Sequence, residues 1–196
     1  PDTFSRCVLQ ASGADVCSPV QAQITAKALD GRMTLKISVI VVEHLLKLVE
    51  GGMLLQFALR KVDYHRVHSP VDGFVEGADV YCKDQLFPGS EAMTIISIQA
   101  AFGRVKVMCI GEWSVQSFVA CDIVGKHVDK MTELGHFAFG SQVILVLPAQ
   151  ARMLASPGAR VFPGDPVCAV RAKEAVQEVH QGRSPVACWW PRSTAS

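Results

Sequence analysis

Apolar and polar positions along this chain fall into short runs, cut by glycine and proline, and most runs have the spacing of strands. Residues 93–98 (Met-Thr-Ile-Ile-Ser-Ile) and 103–110 (Gly-Arg-Val-Lys-Val-Met-Cys-Ile) read as neighbouring strands joined near Ala101-Phe102. In the second, Val105, Val107 and Cys109 share one face, and Arg104, Lys106 and Met108 share the other. Residues 143–147 are aliphatic throughout and end at Pro148, which predicts a buried strand. Residues 17–24 read as a turn entering a short strand. Residues 23–29 and 33–40 predict two strands about the turn Asp30-Gly31, and the apolar run 53–61 reads as strand or helix, with strand favoured because the chain from Tyr64 continues it. Residues 41–50 carry apolar positions at helical spacing, and Gly51-Gly52 supplies a helix stop. Turns are expected at Glu76-Gly77, at Gly125-Lys126 and over residues 132–135. A loop is expected at Pro88-Gly89, and a strand or two over 114–124. Two short strands are expected about Pro163-Gly164. From about residue 172 the chain is polar and reads as a frayed tail. The pattern predicts an α+β fold: a single antiparallel-β-rich domain over residues 1–171, with one or two short helices.

Composition narrows the function classes. At 196 residues with 49% hydrophobic content, the chain can bury one full core. A net charge of +1 without a basic block argues against nucleic acid as a partner. The seven cysteines are scattered with no C-x-x-C pair, which argues against a disulfide scaffold or a zinc knuckle and for buried thiols in a reducing compartment. The most apolar region, residues 37–59, is interrupted by Glu43, His44, Lys47 and Glu50, so no membrane-spanning helix is expected. The sequence opens at Pro1 with no charged-then-apolar leader and has the look of a fragment. The expected location is intracellular, either cytoplasmic or peripheral to a membrane.

Two stretches carry candidate chemistry. Gly140-Ser141 stands just before the aliphatic run. Such a pair is either a bend between strands or a reactive serine on a strained turn. His65 and His68 lie in Asp63-Tyr-His-Arg-Val-His-Ser-Pro-Val-Asp-Gly73, where Pro70 disfavours helix and favours strand or loop. Two histidines are structural, exposed or catalytic. No third ligand is placed near them, so no metal site is expected.

Residues 64–73, Tyr-His-Arg-Val-His-Ser-Pro-Val-Asp-Gly, resemble the central motif of the phosphatidylserine decarboxylase family nearly residue for residue. Phe102-Gly-Arg-Val, with Gly111, Val115 and Ser117, resembles the family's next strand block. Glu133-Leu-Gly-His-Phe-Ala-Phe-Gly-Ser141 resembles the segment ending in its Leu-Gly-Ser-Thr self-cleavage site. Ser156-Pro-Gly through Pro163-Gly-Asp-Pro resembles its terminal hairpin. The resemblance spans roughly residues 15–170. It implies a zymogen that cuts itself between Gly140 and Ser141 and turns Ser141 into a pyruvoyl cofactor. His68 then matches the base of self-cleavage, and His65 matches the histidine of the decarboxylation step. The implied reaction takes phosphatidylserine to phosphatidylethanolamine and carbon dioxide, a step of phospholipid biosynthesis. Histidine titrates in the range such a base requires, and a pyruvoyl carbonyl is an electron acceptor for decarboxylation. Peripheral membrane contact and a homodimer are left open.

Three positions depart from the family pattern. Its Pro-Ala-Asp-Gly motif falls at Pro19-Val-Gln-Ala22, so Gln21 stands where an aspartate would orient the base; Asp15 or Asp63 could take its place. Gln142 replaces the threonine after the cleavage serine. Ser90-Glu-Ala-Met93 lacks the arginine of the family's Asn-x-Arg element. Two alternatives stand beside the lipid reaction. One is a decarboxylase of a free amino acid such as tryptophan with the same chemistry. The other is an unprocessed, non-catalytic homologue.

Overall fold

The computed structural model describes residues 16–28, 52–81, 93–111, 118–138 and 142–170. The strands expected from alternation form here, and every strand pairing is antiparallel. In chain order they are β1 (Val16–Cys17), β2 (Ala22–Ala28), β3 (Met53–Ala58), β4 (Arg66–His68), β5 (Gly73–Tyr81), β6 (Met93–Ala100) and β7 (Gly103–Ile110). Then follow β8 (Phe118–Ala120), β9 (His127–Val128), β10 (Glu133–Phe137), β11 (Gln142–Leu147), β12 (Ala151–Met153), β13 (Arg160–Val161) and β14 (Pro166–Val170). No helix occurs among the described residues. The helix expected over 41–50, the strand over 33–40, the loop at Pro88-Gly89 and the tail all lie outside them. The β-rich half of the expected architecture is therefore what the described residues display.

Among the described residues the largest sheet has eight strands in the order β13-β2-β3-β11-β7-β6-β5-β9, beside two three-stranded sheets, β1-β14-β12 and β4-β10-β8. Strand β11 sits near the middle of the large sheet, between β3 and β7. Its continuous aliphatic run follows from burial on both faces. Val143, Leu145 and Leu147 join Met53, Leu55, Phe57, Val105 and Val107 in the main core. Ile144 and Val146, with Leu54 and Met108, are buried on the opposite side. Each such side chain contributes about 1.5–3 kcal/mol by leaving water, which anchors β11 in the sheet.

Two expected turns are strand instead. Glu76-Gly77 is a register shift within β5, which runs on to Tyr81 against β6; the glycine marks a bulge rather than a reversal. Residues 133–135 open β10, and the reversal comes earlier, where the Thr132 N–H donates to the Asp129 carbonyl at 3.0 Å. The strands flanking Pro163-Gly164 both exist but do not pair with each other: β13 joins β2, and β14 joins β1 and β12. Cys17, Cys109 and Cys168 are buried thiols outside any disulfide and Cys121 is half-buried. Burial pushes the Cys109 thiol well above its ordinary value, which leaves it inert.

Candidate active site

The strand that carries the His65/His68 motif lies beside the strand that precedes Gly140-Ser141 in the chain. Strand β4, from the His65/His68 motif, pairs with β10, whose chain runs on towards Gly140-Ser141; His68 stands opposite Glu133, Val67 opposite Gly135, and Arg66 opposite His136. The Phe137 N–H donates to the His65 carbonyl at 2.9 Å, and the Ser69 N–H to the Thr132 carbonyl at 2.7 Å. On the other flank, His68 N–H donates to the Pro19 carbonyl and Cys17 N–H to the Pro70 carbonyl, both at 2.9 Å. The motif is thus laced between residues 17–21 and residues 131–137.

Gly135 makes the close pairing of β10 with its other neighbour, β8, feasible. Its φ is +156°, and a Cβ there would lie 2.3 Å from the Val119 carbonyl oxygen and 2.6 Å from the Phe118 ring. Only glycine fits both the backbone angle and the gap.

His68 is 3% exposed. Its Nδ1 lies 2.8 Å from the Met131 carbonyl oxygen, and its Nε2 lies 3.1 Å from the Tyr64 hydroxyl. A carbonyl only accepts, so Nδ1 carries the proton and the lone pair of the neutral ring is on Nε2; this tautomer is assigned from the hydrogen-bond network. Burial pushes the imidazole below its ordinary pKa. The Met131 carbonyl and Glu133 pull it up, and Arg66 adds to the lowering. Met131 has a φ of 72°, an uncommon left-handed conformation for a non-glycine residue, which aims its carbonyl at the ring. The Tyr64 and His68 rings are stacked, with centroids 5.7 Å apart and planes 4° apart.

The expected acidic partner is arranged differently from the family pattern. Gln21 Oε1 accepts from the Tyr64 backbone N–H at 3.1 Å, so it holds the residue beside the base rather than the imidazole. Asp63, one candidate to substitute, is committed elsewhere. Its buried carboxylate accepts from the Arg60 backbone N–H at 2.8 Å, from Arg60 Nε and Nη2 at 3.2 and 3.1 Å, and from Arg160 Nη2. Burial alone would raise its pKa. The hydrogen bonds from Arg160 and Arg60 outweigh that and hold it well below the usual carboxylate range. Asp15, Gly140, Ser141 and residues 90–92 lie outside the described residues.

Gln142, next in the chain to Ser141, opens β11 and pairs with Ala58 and Ile110. Its Oε1 accepts from Gln56 Nε2 at 2.6 Å. His65 Nε2 is buried with no hydrogen-bond partner among the described residues. Arg66 is bound to Glu133 at 2.6 and 2.7 Å through one Nη1. No group of three or more potential metal ligands occurs among the described residues, and no helix there is long and apolar enough to cross a membrane. Sequence reasoning assigned no role to Tyr64, Met131 or Gln56. Tyr64 stood in the quoted motif, at the i−4 position from His68. A backbone carbonyl such as that of Met131 leaves no side-chain signal.

Comparison with known proteins identifies the family of the sequence. The family model described as phosphatidylserine decarboxylase matches residues 5–169. A phosphatidylserine decarboxylase proenzyme of Halalkalibacterium halodurans is 37% identical over 113 residues, 50% of this chain and 42% of the relative. A putative archaetidylserine decarboxylase proenzyme of Methanothermobacter thermautotrophicus is 28% identical over 125 residues, 61% of this chain and 56% of the relative. A phosphatidylserine decarboxylase proenzyme of Chlamydia muridarum is 25% identical over 163 residues, 76% of this chain and 54% of the relative. The chain thus spans about half the length of these relatives. With the family model matching most of its residues and four sequence blocks in the family's order, the chain belongs to the phosphatidylserine decarboxylase family.

Proposed function

We propose that this chain is a self-processing decarboxylase that cuts itself at Gly140-Ser141 and converts phosphatidylserine to phosphatidylethanolamine and carbon dioxide. The observation that carries the reading is His68: a buried, neutral histidine with its lone pair on Nε2, on a strand paired to the segment that leads to Ser141. In self-cleavage the Ser141 hydroxyl gives its proton to His68 Nε2, and Oγ adds to the Gly140 carbonyl carbon. The C–N bond breaks, its nitrogen takes up a proton, and an ester replaces the amide. Loss of the residue 141 Cα proton then forms a Cα=Cβ bond and expels the Gly140 carboxylate. Tautomerisation, addition of water and loss of ammonia leave a pyruvoyl group on the Gln142 nitrogen.

The surrounding residues fit such a group. Gln142 is held between two strands and by Gln56, so the new terminus would be anchored at the start of a buried strand. His65 Nε2, buried and without a protein partner among the described residues, suits a polar atom of cofactor or substrate. The pyruvoyl carbonyl would supply an electron acceptor for the pair left behind by departing carbon dioxide. His65 would hold and return the proton at Nε2. The lipid substrate is favoured over a free amino acid by the relatives, whose names specify serine-headgroup lipids.

The test is carbon dioxide release from phosphatidylserine vesicles, with free serine and tryptophan in parallel. Release from vesicles alone, abolished by Ser141→Ala and lowered at least a hundredfold by His65→Ala, is expected. Release from the free amino acids alone would overturn the substrate, and release by Ser141→Ala would overturn the mechanism.

A further inference from the structure

The family's aspartate position holds Gln21, yet His68 has both ring nitrogens engaged, and no carboxylate is hydrogen-bonded to it among the described residues. We propose that Tyr64 is a positioning residue for His68: its hydroxyl donates to Nε2 while the Met131 carbonyl takes the Nδ1 proton, and this uncharged clamp does the orienting that a carboxylate would do. The inference rests on the self-cleavage reading for its rate consequence, but not for its geometry.

With Nδ1–H fixed on the Met131 carbonyl, Nε2 of the neutral ring only accepts, so the Tyr64 O–H is the donor. The lone pair is released when the Tyr64 side chain shifts its oxygen aside, while the Met131 carbonyl keeps Nδ1–H and with it the ring's tautomer. In the resting chain the stacked Tyr64 ring fixes the imidazole plane. Gln21 completes the clamp from behind by accepting the Tyr64 backbone N–H. The glutamine that looks like a lost carboxylate therefore has a use as an amide acceptor. The charged groups facing the ring are Glu133, opposite it on β10, and Arg66, on its own strand; the two are paired to each other, so little net charge is left to hold an imidazolium.

The experiment is nitrogen-15 NMR of the His68 ring in the uncleaved Ser141→Ala chain, with and without Tyr64→Phe, alongside the cleavage rate of the corresponding Ser141 chains made by cell-free synthesis. The Ser141→Ala chain is expected to show protonated Nδ1 and unprotonated Nε2. Tyr64→Phe removes a hydrogen bond that favours the neutral ring, so the His68 titration midpoint should rise by about half a unit or more, and cleavage should slow at least tenfold. An Nε2–H tautomer in the Ser141→Ala chain, or an unmoved midpoint in Tyr64→Phe, would overturn the proposal. A chain with intact Ser141 and Tyr64 that never cleaves would instead sink the self-processing reading, while the NMR result still judged the clamp.

Discussion

Asp63→Asn separates a structural acid from a catalytic one. The Asp63 side chain is fully buried and is shared by Arg60, with a side chain 65% exposed, and Arg160, 29% exposed. The change preserves volume and one acceptor oxygen but removes the charge. It also turns an amide NH₂ towards a donor, either the Arg60 backbone N–H or a guanidinium. The Arg60 side-chain contact is largely solvated and contributes little. The loss then comes from the half-buried Arg160 pair and the backbone hydrogen bond, each about 1.5–3 kcal/mol for a charge-assisted bond. Some is recovered by the remaining oxygen, so the expected destabilisation is about 2–4 kcal/mol. For a chain of this size that lowers Tm by about 5–15 °C. The carboxylate's pKa is depressed in the folded state, so its contribution is present above the ordinary carboxylate pKa and disappears as pH falls through the acid range below about 4. Thermal melts at pH 7 and pH 3 should therefore differ by more for the parent chain than for Asp63→Asn. The cleavage rate of the folded variant should stay within a few-fold of the parent. A Tm lowered by less than about 2 °C would refute the energetic reasoning. Loss of cleavage at unchanged Tm would make Asp63 the missing catalytic acid.

Self-cleavage should rise with pH and level off. Because burial lowers the His68 pKa, the active neutral ring persists to lower pH than for a free histidine, and the midpoint of the rate profile should fall below 6.5. Gel densitometry across pH 4–9 tests this. Gln21→Asp, one methylene shorter, should release the Tyr64 amide and slow cleavage several-fold rather than speed it; a time course of freshly made chain decides the sign. Gly135→Ala should cost about 3–5 kcal/mol, from a left-handed backbone angle and a Cβ driven against the Val119 carbonyl. A Tm within 3 °C of the parent would show that β8 and β10 separate easily.

Much of the sheet was legible because period-two alternation survives wherever one face is buried. The β6–β7 hairpin came directly from residues 93–110. Both-face burial on β11 was legible in the same way, as an unbroken aliphatic run. Glycine was the less readable signal. Gly77 and Gly135 each looked like a turn, but one marks a bulge and the other admits a neighbouring carbonyl, and both depend on a partner strand that the local sequence does not show. The site divides similarly. His65, His68 and Ser141 stood out by motif. The groups that set the His68 tautomer did not, because Met131 acts through its backbone and at a separation of 63 residues. Asp63 looked available as a catalytic acid because Arg160, 97 residues later, is placed beside it only by the pairing of β13 with β2.

The central claim is that the chain processes itself at Gly140-Ser141, and intact mass of the purified, denatured protein tests it most directly. The account predicts two pieces, residues 1–140 and a segment beginning at position 141 with a pyruvoyl-blocked terminus, and a single uncut species for Ser141→Ala. A single uncut species near 21.2 kDa from the unmodified sequence would contradict it.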